Sequence, residues 1–314
     1  MSLPNTALVL IKPHAATAEV DALLLRRLAE WHITVTERGE TRVTAAVIDA
    51  HYGVIANGAR MAPTALAVGA KGRENFVEKN GVDWDSASRR GDVISARSAL
   101  KALHGDIDAL ARLWTAAAAT SVRLAGGMYV RRIESLHGAL VVNGFYPAMR
   151  RSFVGKSLRW LVVQWDARAL PWSRFRAEVF GPTDASAAPR TTLRRYCIDE
   201  WRALGMARRP TDGENCFHAS GGPLEALHER RTWLGRALRD DAFGRQLWAA
   251  CRGGAAATAS TPEPMGAWLR NEVTTIEGVT DSAFELLEER DSAAVLALAA
   301  ERARATTIAP PSRR

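Results

Sequence analysis

The stretch Glu214-Asn-Cys-Phe-His-Ala-Ser-Gly-Gly222 sets one histidine, His218, between an aromatic residue and a run of very small ones. An amphipathic segment begins directly after it. A neutral imidazole in such a place is either a nucleophile with room in front of it or a hydrogen-bonded residue at a helix start. Far upstream, Lys12 closes the apolar run Thr6-Ala-Leu-Val-Leu-Ile-Lys12 just before Pro13, which puts an ammonium at the rim of a sheet, where a phosphate can meet it. Neither residue decides the chemistry alone, because a lysine at a strand end is usually only solvated.

The elements that must hold these residues follow from periodicity. Residues 6–12 read as a buried strand. Thr17 caps a helix whose apolar positions Val20, Leu23, Leu24, Leu28 and Trp31 recur at helical spacing, and the β-branched alternation of residues 33–43 gives a second strand. Strand, helix and strand in this order indicate an α/β or α+β sandwich. Residues 53–142 change character: a glycine- and alanine-rich stretch precedes an amphipathic pattern at Leu100, Leu103, Ile107, Leu110 and Trp114, so a mostly helical insertion is expected. A strand returns at 157–165, followed by a helix over 171–180, a loop over 181–214 and a helix over 223–235. From 236 to 314 a helical extension is expected, interrupted by the low-complexity linker 253–264 and ending in a disordered tail over 306–314.

Composition bounds the rest. The chain has 314 residues, 47% hydrophobic and 24% charged, enough for one large or two ordinary domains. No apolar window reaches the length of a membrane span, and the N-terminus carries no basic segment followed by an apolar run. Three cysteines without a CxxC spacing argue against a disulfide framework, and a cytoplasmic location is expected. The formal charge of +8 invites a nucleic-acid partner, but the arginine pairs are scattered along the chain, which argues against that reading. The seven histidines show no metal-ligand spacing, so no protein-held metal is expected.

Taken in order, several segments resemble those of the nucleoside diphosphate kinases. Leu8-Val-Leu-Ile-Lys-Pro13 resembles the family's first strand with its phosphate-binding lysine, and Asp49-Ala-His-Tyr52 its His-Tyr pair. Asn143-Gly-Phe-Tyr-Pro-Ala-Met149 is similar to the segment that clamps the base, and Gly181-Pro-Thr…Arg194 to the phosphate loop. Asn215-Cys-Phe-His-Ala-Ser220 resembles the active-site signature, with Glu229 eleven residues beyond the histidine. The resemblance covers 1–52 and 143–235. It implies a ferredoxin-like βαββαβ sandwich over those residues, with 53–142 inserted and 236–314 appended.

It also implies a function: the terminal phosphate of ATP passes through phosphohistidine at His218 to a nucleoside diphosphate, or to a specialised acceptor, by a ping-pong route. His218, Glu229 and Lys12 take the catalytic roles; Tyr52, Phe145, Met149, Thr183, Arg194, Asn215 and Ser220 take the substrate-binding ones. Mg²⁺ accompanies ATP, and a homo-oligomer is in keeping with the family. The physics of phosphoryl transfer agrees, since it asks for a nucleophile surrounded by fixed cations and donors. Glu229 would hold the imidazole tautomer, and Phe145 would stack on any base.

The chain also departs from the family. Ala177 stands where a second phosphate-binding arginine is expected, with Arg176 and Arg174 beside it. His14 and Ala15 follow the Lys-Pro pair in place of an aspartate and a glycine, no acidic residue follows Ser220, and the loop from Arg194 to Asn215 is longer. These departures motivate the alternative: a nucleotide-binding or assembly protein that keeps the fold without turnover.

Overall fold

The structure, a computed structural model, describes residues 3–185, 188–211, 214–252 and 263–308. It divides into two compact units, Met1–Arg42 with Ser157–Arg314, and Val43–Lys156.

The first unit is built on four strands, β1 (Asn5–Ile11), β2 (Thr34–Arg42), β3 (Ser157–Trp165) and β4 (Phe217–Ala219). Their order is β2-β3-β1-β4 and every neighbour is antiparallel. Helix α1 (Ala18–Glu30) joins β1 to β2. Helix α2 (172–180), an α turn running into a wider π-type turn, follows β3. The sequence β1-α1-β2-β3-α2-β4 with this strand order is the ferredoxin-like βαββαβ arrangement. One further helix, α3 (Leu193–Asp199), lies in what reads as a loop, because seven residues give barely two turns of pattern. Its Leu193 and Cys197 are nonetheless fully buried.

Period-two alternation explains the sheet. Ala7, Val9 and Ile11 share a core with Leu161, Val163 and Trp165 and with Phe217 and Ala219 of β4, and α1 contributes Val20, Leu23, Leu24 and Leu28. The Thr17 hydroxyl caps α1 by accepting from Val20 N at 3.1 Å and itself donates to the Leu204 carbonyl at 2.8 Å. Helix α4 (Pro223–Leu234) follows β4 and runs against β1, tied there by Arg230, whose guanidinium donates to the Thr6 carbonyl at 2.7 Å. Arg230 also forms a buried two-bond pair with Asp241, at 2.7 and 3.1 Å.

The C-terminal residues belong to this first unit rather than standing apart. Leu224 and Leu227 of α4 share a core with α5 (Ala242–Arg252), α7 (Ala283–Leu287) and α8 (Ser292–Ile308), with Met265 and Trp268 of the intervening α6 (Glu263–Leu269) between them. The expected helical segments are joined by a hairpin of β5 (Val273–Ile276) and β6 (Val279–Ser282) that the sequence reading did not include. Its two-residue turn, Glu277-Gly278, has φ of 51° and 80°, the left-handed pair that tight hairpins require. Residues 306–308 of the expected tail continue α8, while 309–314 and the linker residues 253–262 lie outside the described residues.

The second unit carries the helices expected over 53–142 and, beyond that expectation, a sheet of short strands. It has its own four-stranded sheet, with Val93–Ser95, Ala139–Val142, Met128–Ile133 and Val122–Ala125 side by side in that order. The first pair is parallel and the others antiparallel. Strands of three to six residues are too short for alternation to stand out against the surrounding helices. The flanks 43–52 and 143–156, read from the sequence as part of the first domain, belong to this unit, and its ends are joined by Val43 N to Lys156 O at 2.9 Å and Gly155 N to Val43 O at 2.8 Å. Among the described residues, no helix is long and apolar enough to cross a membrane.

Candidate active site

His218 owes its position to register. It pairs with Leu10 across the edge of the sheet, while its neighbours Phe217 and Ala219 point into the core, so its side chain emerges on the other face. Ser220-Gly221-Gly222 then turns the chain into α4. A Cβ on Gly222 would stand 2.7 Å from the Leu287 carbonyl oxygen, so the close approach of backbone to backbone there needs glycine.

Just under two turns of α4 bring Glu229 back to the histidine. His218 Nε2 lies 2.5 Å from Glu229 Oε1, and the other carboxylate oxygen accepts from Ser220 Oγ at 2.6 Å. Ser220 Oγ accepts in turn from Leu8 N at 2.9 Å, and Ser220 N donates to Leu8 O at 3.1 Å. Ser220 is fully buried and Glu229 1% exposed, whereas the His218 side chain is 17% exposed. A buried carboxylate is tolerable only with donors on it, and here it has one on each oxygen. With Nε2 as the donor, the imidazole's basic lone pair is that of Nδ1. Ser220, expected among the substrate contacts, instead sits behind the pair and orients Glu229.

The cations gather around the same strand ends. Lys12 is nearly buried and its ammonium donates to Asn215 Oδ1 at 3.0 Å. Burial first, and the Arg194 guanidinium second, bring its pKa down to about 8 against the partial opposition of Cys216 and Glu214. Arg194, carried by α3, donates to Gly181 O at 2.5 Å and to the carbonyl of Phe217, the residue before His218, at 3.3 Å. Gly181 has a φ of 82°, a conformation strained for any other residue. His14 bonds to the Glu214 carbonyl at 2.9 Å, and its pKa is lowered by burial and then by Lys12. Two cations inside each other's field, one of them dehydrated, form an arrangement that an anion relieves.

Sequence reasoning missed Glu225. This half-buried residue sits one helical turn before Glu229 and its Oε2 accepts from Gly221 N at 2.5 Å. Burial and the charge of Glu229 raise its pKa to about 7. The signal was available, since a glutamate at the third position of a helix is the usual partner for a donor at the helix entrance.

The other expected residues are placed as follows. Thr183 is exposed, in the loop beyond Gly181. Ala177 is exposed on α2, while Arg176 forms ion pairs with Glu288 and, at 3.2 Å, Glu289; Arg174 pairs with Glu178 at 2.7 Å. Tyr52, Phe145 and Met149 all lie in the second unit. Tyr52 and Met149 pack against an apolar cluster that contains Ala56, Leu110, Val141 and Tyr146. Phe145, half-buried, has its ring 5.6 Å from that of Trp114.

No family model and no curated protein matches the chain. Among solved structures, the chain is similar to a nucleoside diphosphate kinase from Aquifex aeolicus at 12% identity and a TM-score of 0.37, covering 73% of this chain and 94% of that one. For the nucleoside diphosphate kinase from Encephalitozoon cuniculi the values are 13% and 0.36, over 74% and 90% of the two chains. For an NDP kinase from Pyrobaculum aerophilum they are 14% and 0.36, over 74% and 96%.

Proposed function

We propose that the protein is a nucleoside diphosphate kinase-like phosphotransferase that moves the terminal phosphate of ATP through phosphohistidine at His218. The observation that carries this reading is the His218–Glu229–Ser220 relay, in which a buried carboxylate holds Nε2 and assigns the lone pair to Nδ1. That lone pair attacks the γ-phosphorus; the N–P bond forms as the P–O bond to ADP breaks and ADP leaves with the electron pair. The Nε2 proton stays on the Glu229 side throughout. Return of the phosphoryl group to an acceptor oxygen, on a nucleoside diphosphate or a specialised acceptor, reverses these steps.

Lys12 and Arg194 neutralise the transferring phosphoryl oxygens, and Asn215 keeps the Lys12 ammonium in place. Thr183, exposed in the loop beyond Gly181, adds a hydrogen bond. The donors around Lys12 fit a polyphosphate. Mg²⁺, carried in on the triphosphate, would be held by phosphate oxygens and water, and supplies charge neutralisation there.

Incubation with ATP labelled on its terminal phosphate should give an acid-labile label on the protein that a nucleoside diphosphate removes. The label should be absent from His218→Ala. No label, or equal label on that variant, would overturn the proposal. The second reading, a nucleotide-binding protein without turnover, draws on Ala177 and on the engagement of Arg176 with Glu288 and Glu289. ATP binding by calorimetry without any label would favour it.

A further inference from the structure

The turn behind His218 is held at four backbone groups. Ser220 N donates to Leu8 O, Ser220 O accepts from the Trp172 indole at 3.1 Å, Gly221 N donates to Glu225 Oε2, and Gly221 O accepts from Glu289 N at 2.8 Å. Three of these anchors are neutral groups of a strand, an aromatic residue and the C-terminal segment. The fourth is a carboxylate. Glu225 also stands one turn from Glu229 on α4, so both acids face the histidine end of the helix. The fit is close: a Cβ on Gly221 would stand 2.5 Å from Glu225 Oε2, which leaves no room for a side chain between the turn and this acid.

We infer that Glu225 is a positioning residue of the His218 site, a second carboxylate that fixes the Ser220–Gly221 turn and, through Ser220, the Glu229 carboxylate whose other oxygen steadies the imidazole. For the reaction, this inference rests on the phosphotransfer reading above; the geometry of the turn does not. A purely helix-capping glutamate would change stability and nothing else. Glu225 differs because its charge is balanced near neutrality. Burial and Glu229 favour its protonated form, while His218, the Gly221 N–H and Arg176 favour the ionised one; Glu288, whose carboxylate would also lie 3.4 Å from a Gly221 Cβ, faces the same turn and pairs with Arg176, as does Glu289. Because the Gly221 bond favours the ionised acid, ionisation strengthens that bond by the same linkage. The turn is therefore held tightly above the midpoint and loosely below it.

The test uses the full chain and two readouts. In the wild type, the Gly221 amide proton should move downfield as pH rises through a midpoint of about 7. It should not titrate in Glu225→Gln, which keeps an acceptor for Gly221 without a charge. The rate of label transfer from ATP to His218 should rise through the same midpoint in the wild type, lose that inflection in Glu225→Gln, and fall about tenfold in Glu225→Ala. Should the alanine variant not fold, the glutamine variant carries the comparison. A Gly221 amide indifferent to pH, or superimposable labelling profiles of wild type and Glu225→Gln, would overturn the inference. A Gly221 amide that titrates only in the wild type, with no label on any form, would uphold the positioning role and overturn the phosphotransfer reading instead.

Discussion

The edge of the first unit's sheet and the apolar cluster of the second unit treat their sequence-chosen residues in opposite ways. At the edge, His218, Ser220, Glu229, Lys12, Asn215 and Arg194 are joined by direct hydrogen bonds or by bonds to one another's neighbouring backbone. In the second unit, Tyr52 and Met149 pack into an apolar cluster and Phe145 lies against Trp114. Polar groups on adjacent strands are aligned by ladder register, which admits few alternatives once one face is buried. Apolar residues can be absorbed by whatever core lies nearest. Spacing in sequence thus translates into geometry most directly where strand pairing fixes it.

The sharpest way to break the first half of this comparison is Glu229→Gln. The amide keeps the volume but removes the negative charge that Nε2–H faces and turns the oxygen that accepts from Ser220 into a donor. Label transfer to His218 should fall by about a hundredfold or more, measured as an initial rate at saturating ATP. An unchanged rate would detach the relay from the chemistry.

Lys12 offers a second test, read through pH. Its pKa falls from 10.5 in the unfolded chain to about 8 in the fold, so between these values the unfolded state binds the extra proton. Stability should rise as pH increases from about 8 to 10.5, and Lys12→Met should remove that rise in denaturant titrations. Triphosphate should raise the melting temperature of the wild type more than that of the variant, because the anion relieves the two cations.

The smallest effect belongs to the second unit. Phe145→Ala should cost about 1–2 kcal/mol of unfolding free energy, because a half-buried ring leaves Trp114. Denaturant titration of the full chain measures that loss. An unchanged unfolding free energy would show that the contact with Trp114 carries no stability.

Of the ferredoxin-like sandwich, β1, α1 and β3 were legible because they carry long, clean patterns, whereas β4, only three residues long, was not read as a strand. The second unit's sheet was not legible either, since its strands run three to six residues and one of them pairs in parallel with a partner far along the chain. The hairpin at 273–282 did carry a signal, alternation around Glu277-Gly278, hidden by the helical stretches on either side. At the site, Glu229 was singled out by the family resemblance and not by a pattern of its own; its carboxylate lies against His218. The buried role of Ser220 depended on Leu8 of a distant strand, which no local pattern contains, whereas Glu225, third residue of α4, carried a local capping signal that went unread.

The account turns on Glu229 holding Nε2 so that Nδ1 attacks. Phosphorylated protein enriched in ¹⁵N-histidine, observed by ³¹P and ¹⁵N NMR at alkaline pH, reports which ring nitrogen carries the phosphate. A single phosphohistidine at His218, bonded through Nδ1, is the expected result; phosphate on Nε2, or on any residue other than His218, would contradict it.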